Sequence, residues 1–124
     1  MFKTLAFSFL ALCSAALATS GASAEGVVNV YSYRQPQLVE PLFKAFQEKT
    51  GIEVKMVFAE KGLIERMEQE GELSPVDVLL TADVGRLVEA ADKGLAQAVT
   101  SDLINGKVPA ALRDPANQWF GLTM

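Results

Sequence analysis

The sequence predicts an α/β domain, a mostly parallel sheet with flanking helices. Three observations predict it. Apolar runs of strand length alternate with segments of helical period from residue 27 to residue 94. The first run, Val27-Val28-Asn29-Val30-Tyr31, is almost continuously apolar, the pattern of a strand covered on both faces. Polar side chains able to bind ligands follow each run, at the edge where parallel sheets hold ligands.

Residues 1–24, MFKTLAFSFLALCSAALATSGASA, read as a signal peptide. Lys3 is the short basic region, an apolar run follows, and Ala22-Ser23-Ala24 is an A-x-A cleavage site. Cys13 follows Leu12 within that run, where a lipoprotein signal would place a small residue, so it belongs to the leader. Removing the leader takes out Lys3 and no acid, which leaves 10 Lys+Arg of the 11 against 15 Asp+Glu, a net charge of −5. Such a balance does not favour nucleic acid. The remaining hundred residues hold no cysteine for a disulfide or thiolate site, and the chain has no histidine to act as base or metal ligand.

After the first strand, Pro36 suits the start of a helix, and Leu38, Val39, Leu42, Phe43 and Phe46 recur at helical spacing toward the core. Pro41 is expected to kink this helix or to mark its true start, and Lys49 and Gly51 to close it. Residues 52–58 alternate like a strand. Leu63, Ile64 and Met67 form a short amphipathic helix closed by Gly71, with Glu65 to Glu72 as its solvated face. Ser74-Pro75 turns the chain into a third strand over 76–81. Asp83 then caps a helix whose Val84, Leu87, Val88 and Ala91 face inward until Gly94. Beyond it the pattern is less regular: an extended piece at 96–99, a helical turn at 101–103, then turn signals at Asn105-Gly106, Val108-Pro109 and Asp114-Pro115. Trp119 reads as core, and residues 119–124, WFGLTM, read as the beginning of a strand in the front portion of a longer protein.

Tyr31-Ser32-Tyr33-Arg34-Gln35, Ala59-Glu60-Lys61-Gly62 and Thr81-Ala82-Asp83 fall at one sheet edge. Tyr31 reads as a packing residue. Tyr33 and Arg34 stand evenly between a structural job and a site in which a phenolate holds a hard cation such as Fe³⁺ and a guanidinium holds its anion. Asp83 is a helix cap first and a ligand contact second, and Thr81 shares the ambiguity. Neither a nucleophile–base pair nor a G-x-S-x-G motif occurs, so an exported hydrolase is disfavoured and no enzyme is expected. A phospho-acceptor domain using Asp83 would need an acidic pair after strand one, where Tyr33 and Arg34 stand.

The mature chain resembles the periplasmic ferric-iron-binding proteins, the solute-binding components of iron ABC transporters. VVNVYSYRQP at 27–36, EKTGIEV at 48–54, GELSPVDVLLTADVGRL at 71–87 and LRDPANQWFGLT at 112–123 carry the resemblance. It implies a type II periplasmic-binding-protein fold, of which this chain is the first lobe only, incomplete at its C-terminus. Residues 25–118 would form that lobe, and 119–124 would begin the hinge strand. It implies a monomer in the periplasm that delivers Fe³⁺ to an inner-membrane permease, with a pair of adjacent tyrosine ligands beyond Met124. Where many members carry histidine after Y-S-x-R, this chain has Gln35 and Pro36. Where another branch has glutamate after the third strand, it has Ala82. The resemblance therefore implies a first lobe without a direct protein ligand of its own, in which Tyr33, Arg34 and Gln35 position a carbonate-like anion or close over the metal; Thr81 and Asp83 are further ligand-side candidates, and a metal role stays open for Tyr33 alone. The same fold with a polyamine, thiamine or oxyanion ligand is the alternative.

Overall fold

The computed structural model describes residues 26–122, so the expected leader (1–24, with Cys13) and the last two residues of the expected hinge strand lie outside it. Three parallel strands form one sheet in the order β2-β1-β3: β1 (Val27–Ser32), β2 (Glu53–Phe58) and β3 (Val78–Leu80). The helices α1 (Pro36–Thr50), α2 (Leu63–Glu70), α3 (Val84–Asp92) and α4 (Asp102–Lys107) follow in the chain. Among the described residues no helix is long and apolar enough to cross a membrane.

The apolar run of β1 puts it in the centre. Val30, Tyr31 and Ser32 are buried, and alternation sends Tyr31 to one face of the sheet and Val30 and Ser32 to the other. The third strand is shorter than the expected 76–81. The Asn29 amide donates to the Asp77 carboxylate at 2.8 Å, and the Asp77 amide donates to the Asn29 carbonyl. A side chain thus takes the place of regular pairing at the entry to β3.

The main core lies on the Tyr31 face. Tyr31, Tyr33, Leu63, Ile64, Met67 and Ala90 form it, with Leu79 and Leu95 packed against it. Leu63, Ile64 and Met67 come from one face of α2, and each side chain of that size contributes about 1.5–3 kcal/mol when fully buried. Tyr31 is core, as expected. Its phenol donates to the Glu70 carboxylate at 2.9 Å while the Arg66 guanidinium lies over its ring. Burial and the Glu70 carboxylate push this phenol above its ordinary range.

Glu70 departs from the solvated helix face expected for residues 65–72. Hydrogen bonds from Ser74 and Arg66 hold its carboxyl below the ordinary carboxylate range. A carboxyl whose folded pKa is depressed stabilises the fold above its unfolded pKa and loses that contribution as pH falls through the folded value. Glu70→Gln is therefore expected to flatten the stability–pH curve below about pH 4.5. Chemical unfolding between pH 3 and pH 7 checks this, and slopes equal to wild type would refute it.

Pro41 does not start α1, which is continuous from Pro36 with Pro41 inside it; Gly51 ends it in the left-handed conformation, φ 74°. Of the five apolar residues expected inward, Val39 is buried and Phe43 half-buried, while Leu38, Leu42 and Phe46 are exposed. Of the four α3 residues expected inward, Leu87 and Ala91 are half-buried and Val84 and Val88 exposed, while the buried residue of the helix is Ala90. Arg86, four residues before Ala90 and so on the same side of the helix, lays its guanidinium on the Tyr33 ring. The piece at 96–99 forms no strand, and Phe120 makes a single antiparallel bridge to Arg113. Trp119, expected in the core, is half-buried.

Candidate functional site

The parallel register places the ends of all three strands at one edge, with Ser32 beside Phe58 and Leu80. Backbone hydrogen bonds continue the sheet into the loops. The Tyr33 amide donates to the Leu80 carbonyl at 2.8 Å, and the Ala59 amide donates to the Ser32 carbonyl at 3.1 Å. The three expected segments therefore meet at one rim.

Within that rim the tyrosine and the arginine part company. Tyr33 is 9 % exposed and belongs to the core cluster. Its phenol oxygen accepts the Ile64 amide at 2.9 Å, and the Arg86 guanidinium carbon lies 4.0 Å from its ring centroid. Of the two readings of Tyr33, a structural job and a phenolate ligand, the structure shows the structural job: the phenol is engaged by an amide of α2. The physical reason lies at the start of α2. Gly62, with φ 86°, supplies no side-chain cap, so the second helical amide, one of the donors a helix start leaves free, is satisfied by Tyr33.

Arg34 is half-buried and is held by its backbone. The Ser32 hydroxyl, 0 % exposed, accepts the Arg34 amide at 3.0 Å and donates to the Arg34 carbonyl at 2.8 Å. One side chain thus grips both polar groups of one peptide residue. Among the described residues no carboxylate lies within ion-pairing distance of the Arg34 guanidinium. Gln35 is exposed at the start of α1, where its amide oxygen accepts from Gln37 at 2.8 Å.

Across the rim, Asp83 caps α3 as expected. Its Oδ1 accepts the Arg86 amide at 2.9 Å and its Oδ2 lies 3.7 Å from the Arg86 Nε. The Thr81 hydroxyl accepts the Asp83 amide at 3.4 Å, so Thr81 shapes the same turn. Among the described residues no group of three or more His, Cys, Asp or Glu is placed to hold a metal ion. A groove of about 760 Å³ runs along α1 and β2, lined by Glu40, Phe43, Val54 and Met56 among others. None of the rim residues lines it.

Sequence reasoning placed Ser32 at the rim without giving it a role, and it missed Arg86. Ser32 carried a signal, since a serine two residues before an arginine can close a local side-chain turn. Arg86 carried none, because only the tertiary arrangement brings it over Tyr33.

The family described as bacterial extracellular solute-binding protein matches residues 28–118. Iron uptake protein A1 of Synechocystis is 40 % identical over 97 residues, covering 77 % of this chain and 27 % of its own. Iron uptake protein A2 of the same organism is 39 % identical, covering 91 % and 32 %. The Mannheimia haemolytica ferric iron-binding protein A, solved in an open conformation, superposes with a TM-score of 0.77 at 54 % identity, covering 79 % of this chain and 31 % of that one. The Trichodesmium protein solved in complex with iron and citrate ligands gives 0.75 at 42 % identity, covering 79 % and 31 %. This chain spans about a third of the length of these relatives. The matched run takes in all three strands but for Val27 at the start of β1, α1 to α4 and every residue of the rim, so the chain belongs to the bacterial extracellular solute-binding protein family.

Proposed function

We propose that this chain supplies one jaw of a periplasmic ferric-iron-binding protein, exported by residues 1–24, that hands Fe³⁺ to an ABC permease at the inner membrane. The observation that carries the reading is Arg34, whose backbone is fixed at a rim shared by the three strand ends and whose guanidinium has no ion pair among the described residues. Fe³⁺ is bound by hard oxygen donors, and a small oxyanion both completes such a shell and offsets the ion's charge. A guanidinium presents its donors as a fork that matches carbonate or carboxylate oxygens. In this reading Arg34 holds the anion while phenolate ligands come from a second lobe. Gln35, Thr81 and Asp83 border the anion without ligating the metal, and Tyr33 supports α2. The ferric and iron-uptake names of the relatives support iron as the cargo. Citrate beside iron in the Trichodesmium protein supports an accompanying oxyanion.

A polyamine ligand would need free carboxylates at the rim. Asp83 already accepts from the Arg86 amide and faces its guanidinium, which leaves the exposed Glu60 as the one rim carboxylate without an ion pair among the described residues, a single charge for a ligand that carries several.

Ferric titration of the full-length protein, followed by the phenolate-to-iron charge-transfer band, tests the reading. Arg34→Ala is expected to weaken iron binding about 10- to 100-fold in carbonate buffer, the worth of a hydrogen bond to a charged group. In carbonate-free buffer the difference should shrink. A colourless protein without iron affinity would defeat the iron assignment, and an Arg34→Ala effect indifferent to the anion would defeat the role of Arg34.

A further inference from the structure

We propose that Arg86 is a positioning residue that fastens the three strand-end loops into one rim, an inference that rests on the ligand-side reading above. Its guanidinium reaches all three loops. It stacks 4.0 Å from the Tyr33 ring centroid after β1, its Nη2 donates to the Glu60 carbonyl at 3.4 Å after β2, and its Nε lies 3.7 Å from the Asp83 carboxylate after β3. Its backbone is fixed as well, because its amide donates to Asp83 at the start of α3.

The contacts are individually modest, and the side chain is about one-third exposed at 36 %. Their value lies in connection. Beyond the first residue after each strand, where the Tyr33 and Ala59 amides still bond neighbouring strands, the side chains of the three loops are not joined by the sheet below. A planar cation with donors along its edges and a face for an aromatic ring can bridge three chemically different partners at once. A lysine has the charge but lacks the plane and the fork. By holding the Tyr33 ring, Arg86 also steadies the phenol that satisfies the Ile64 amide, so the stack is coupled to the first turn of α2.

Amide hydrogen exchange on the full chain tests this without any ligand. Arg86→Met keeps the aliphatic stem and removes the charge and the donors. It is expected to accelerate exchange about fivefold at Ile64 and Asp83, in line with the loss of a partly exposed cation–π contact. The Arg34 amide, pinned by Ser32, and the Val30 and Tyr31 amides of β1 should keep their rates. Arg86→Lys should recover part of the protection at Ile64. If Arg86→Met does not fold, Arg86→Lys alone decides, with about twofold acceleration expected at Ile64. Equal acceleration in β1, or an Ile64 amide indifferent to both substitutions, overturns the proposal. Because exchange is read without iron, a failed iron titration with an intact exchange response would strike the iron assignment and leave the role of Arg86 standing.

Discussion

Ile64→Ala is expected to destabilise the domain by about 2–5 kcal/mol, the largest stability loss among the substitutions considered. Ile64 is 1 % exposed and packs among Tyr31, Tyr33, Leu63, Met67 and Ala90. Truncation removes buried methyl groups and leaves a cavity between α2 and the sheet. The surroundings are poorly placed to collapse into it. Tyr31 is tied to Glu70, and Tyr33 is held by Arg86 above and by the Ile64 amide itself. Urea unfolding followed by circular dichroism measures the loss. A change below about 1 kcal/mol, as for an ordinary surface substitution, would show that α2 does not anchor the core.

Ser32→Ala is expected to cost about 1–3 kcal/mol, the penalty for stranding hydrogen-bonding groups away from water. The serine is fully buried and serves the amide and the carbonyl of Arg34 together. Alanine leaves both groups without that partner, and the loop after β1 must move to find water. The substitution should therefore act twice, lowering stability and weakening anion-dependent iron capture in the full-length protein. Ile64→Ala supplies the comparison, since it should lower stability more while disturbing capture less. Urea unfolding and ferric titration of both variants separate the effects. A Ser32→Ala variant that loses stability but captures iron like wild type would mean that Arg34 is positioned by something other than Ser32.

Much of the architecture was legible in the residues. The apolar run at 27–31, the alternation at 52–58 and the helix signals between them are local patterns, and the observed strands and helices follow them closely. Asp83 as a cap was legible for the same reason, because an N-cap is settled by the few residues after it. Convergence of the three loops at one edge followed from the parallel order alone. Side-chain direction was less accessible. Leu38, Leu42 and Phe46 recur at core spacing yet are exposed, since periodicity marks an apolar stripe without saying how much of it a neighbour covers. Glu70 looked like one of several solvated glutamates until Tyr31, Arg66 and Ser74 closed around it.

The order of strands and helices, the acidic balance, the lack of histidine and the placing of Tyr33, Arg34, Thr81 and Asp83 at one sheet edge came from the sequence by itself, because each depends on composition or on neighbours a few residues away. Only the tertiary structure decided that Tyr33 turns inward to satisfy an amide of α2, that Ser32 holds the Arg34 peptide, and that Arg86 lies across the rim. Those choices are made by partners 31 to 53 positions apart in the chain, as with Tyr33 and Ile64 or Tyr33 and Arg86, or by a buried hydroxyl whose environment no local pattern reports.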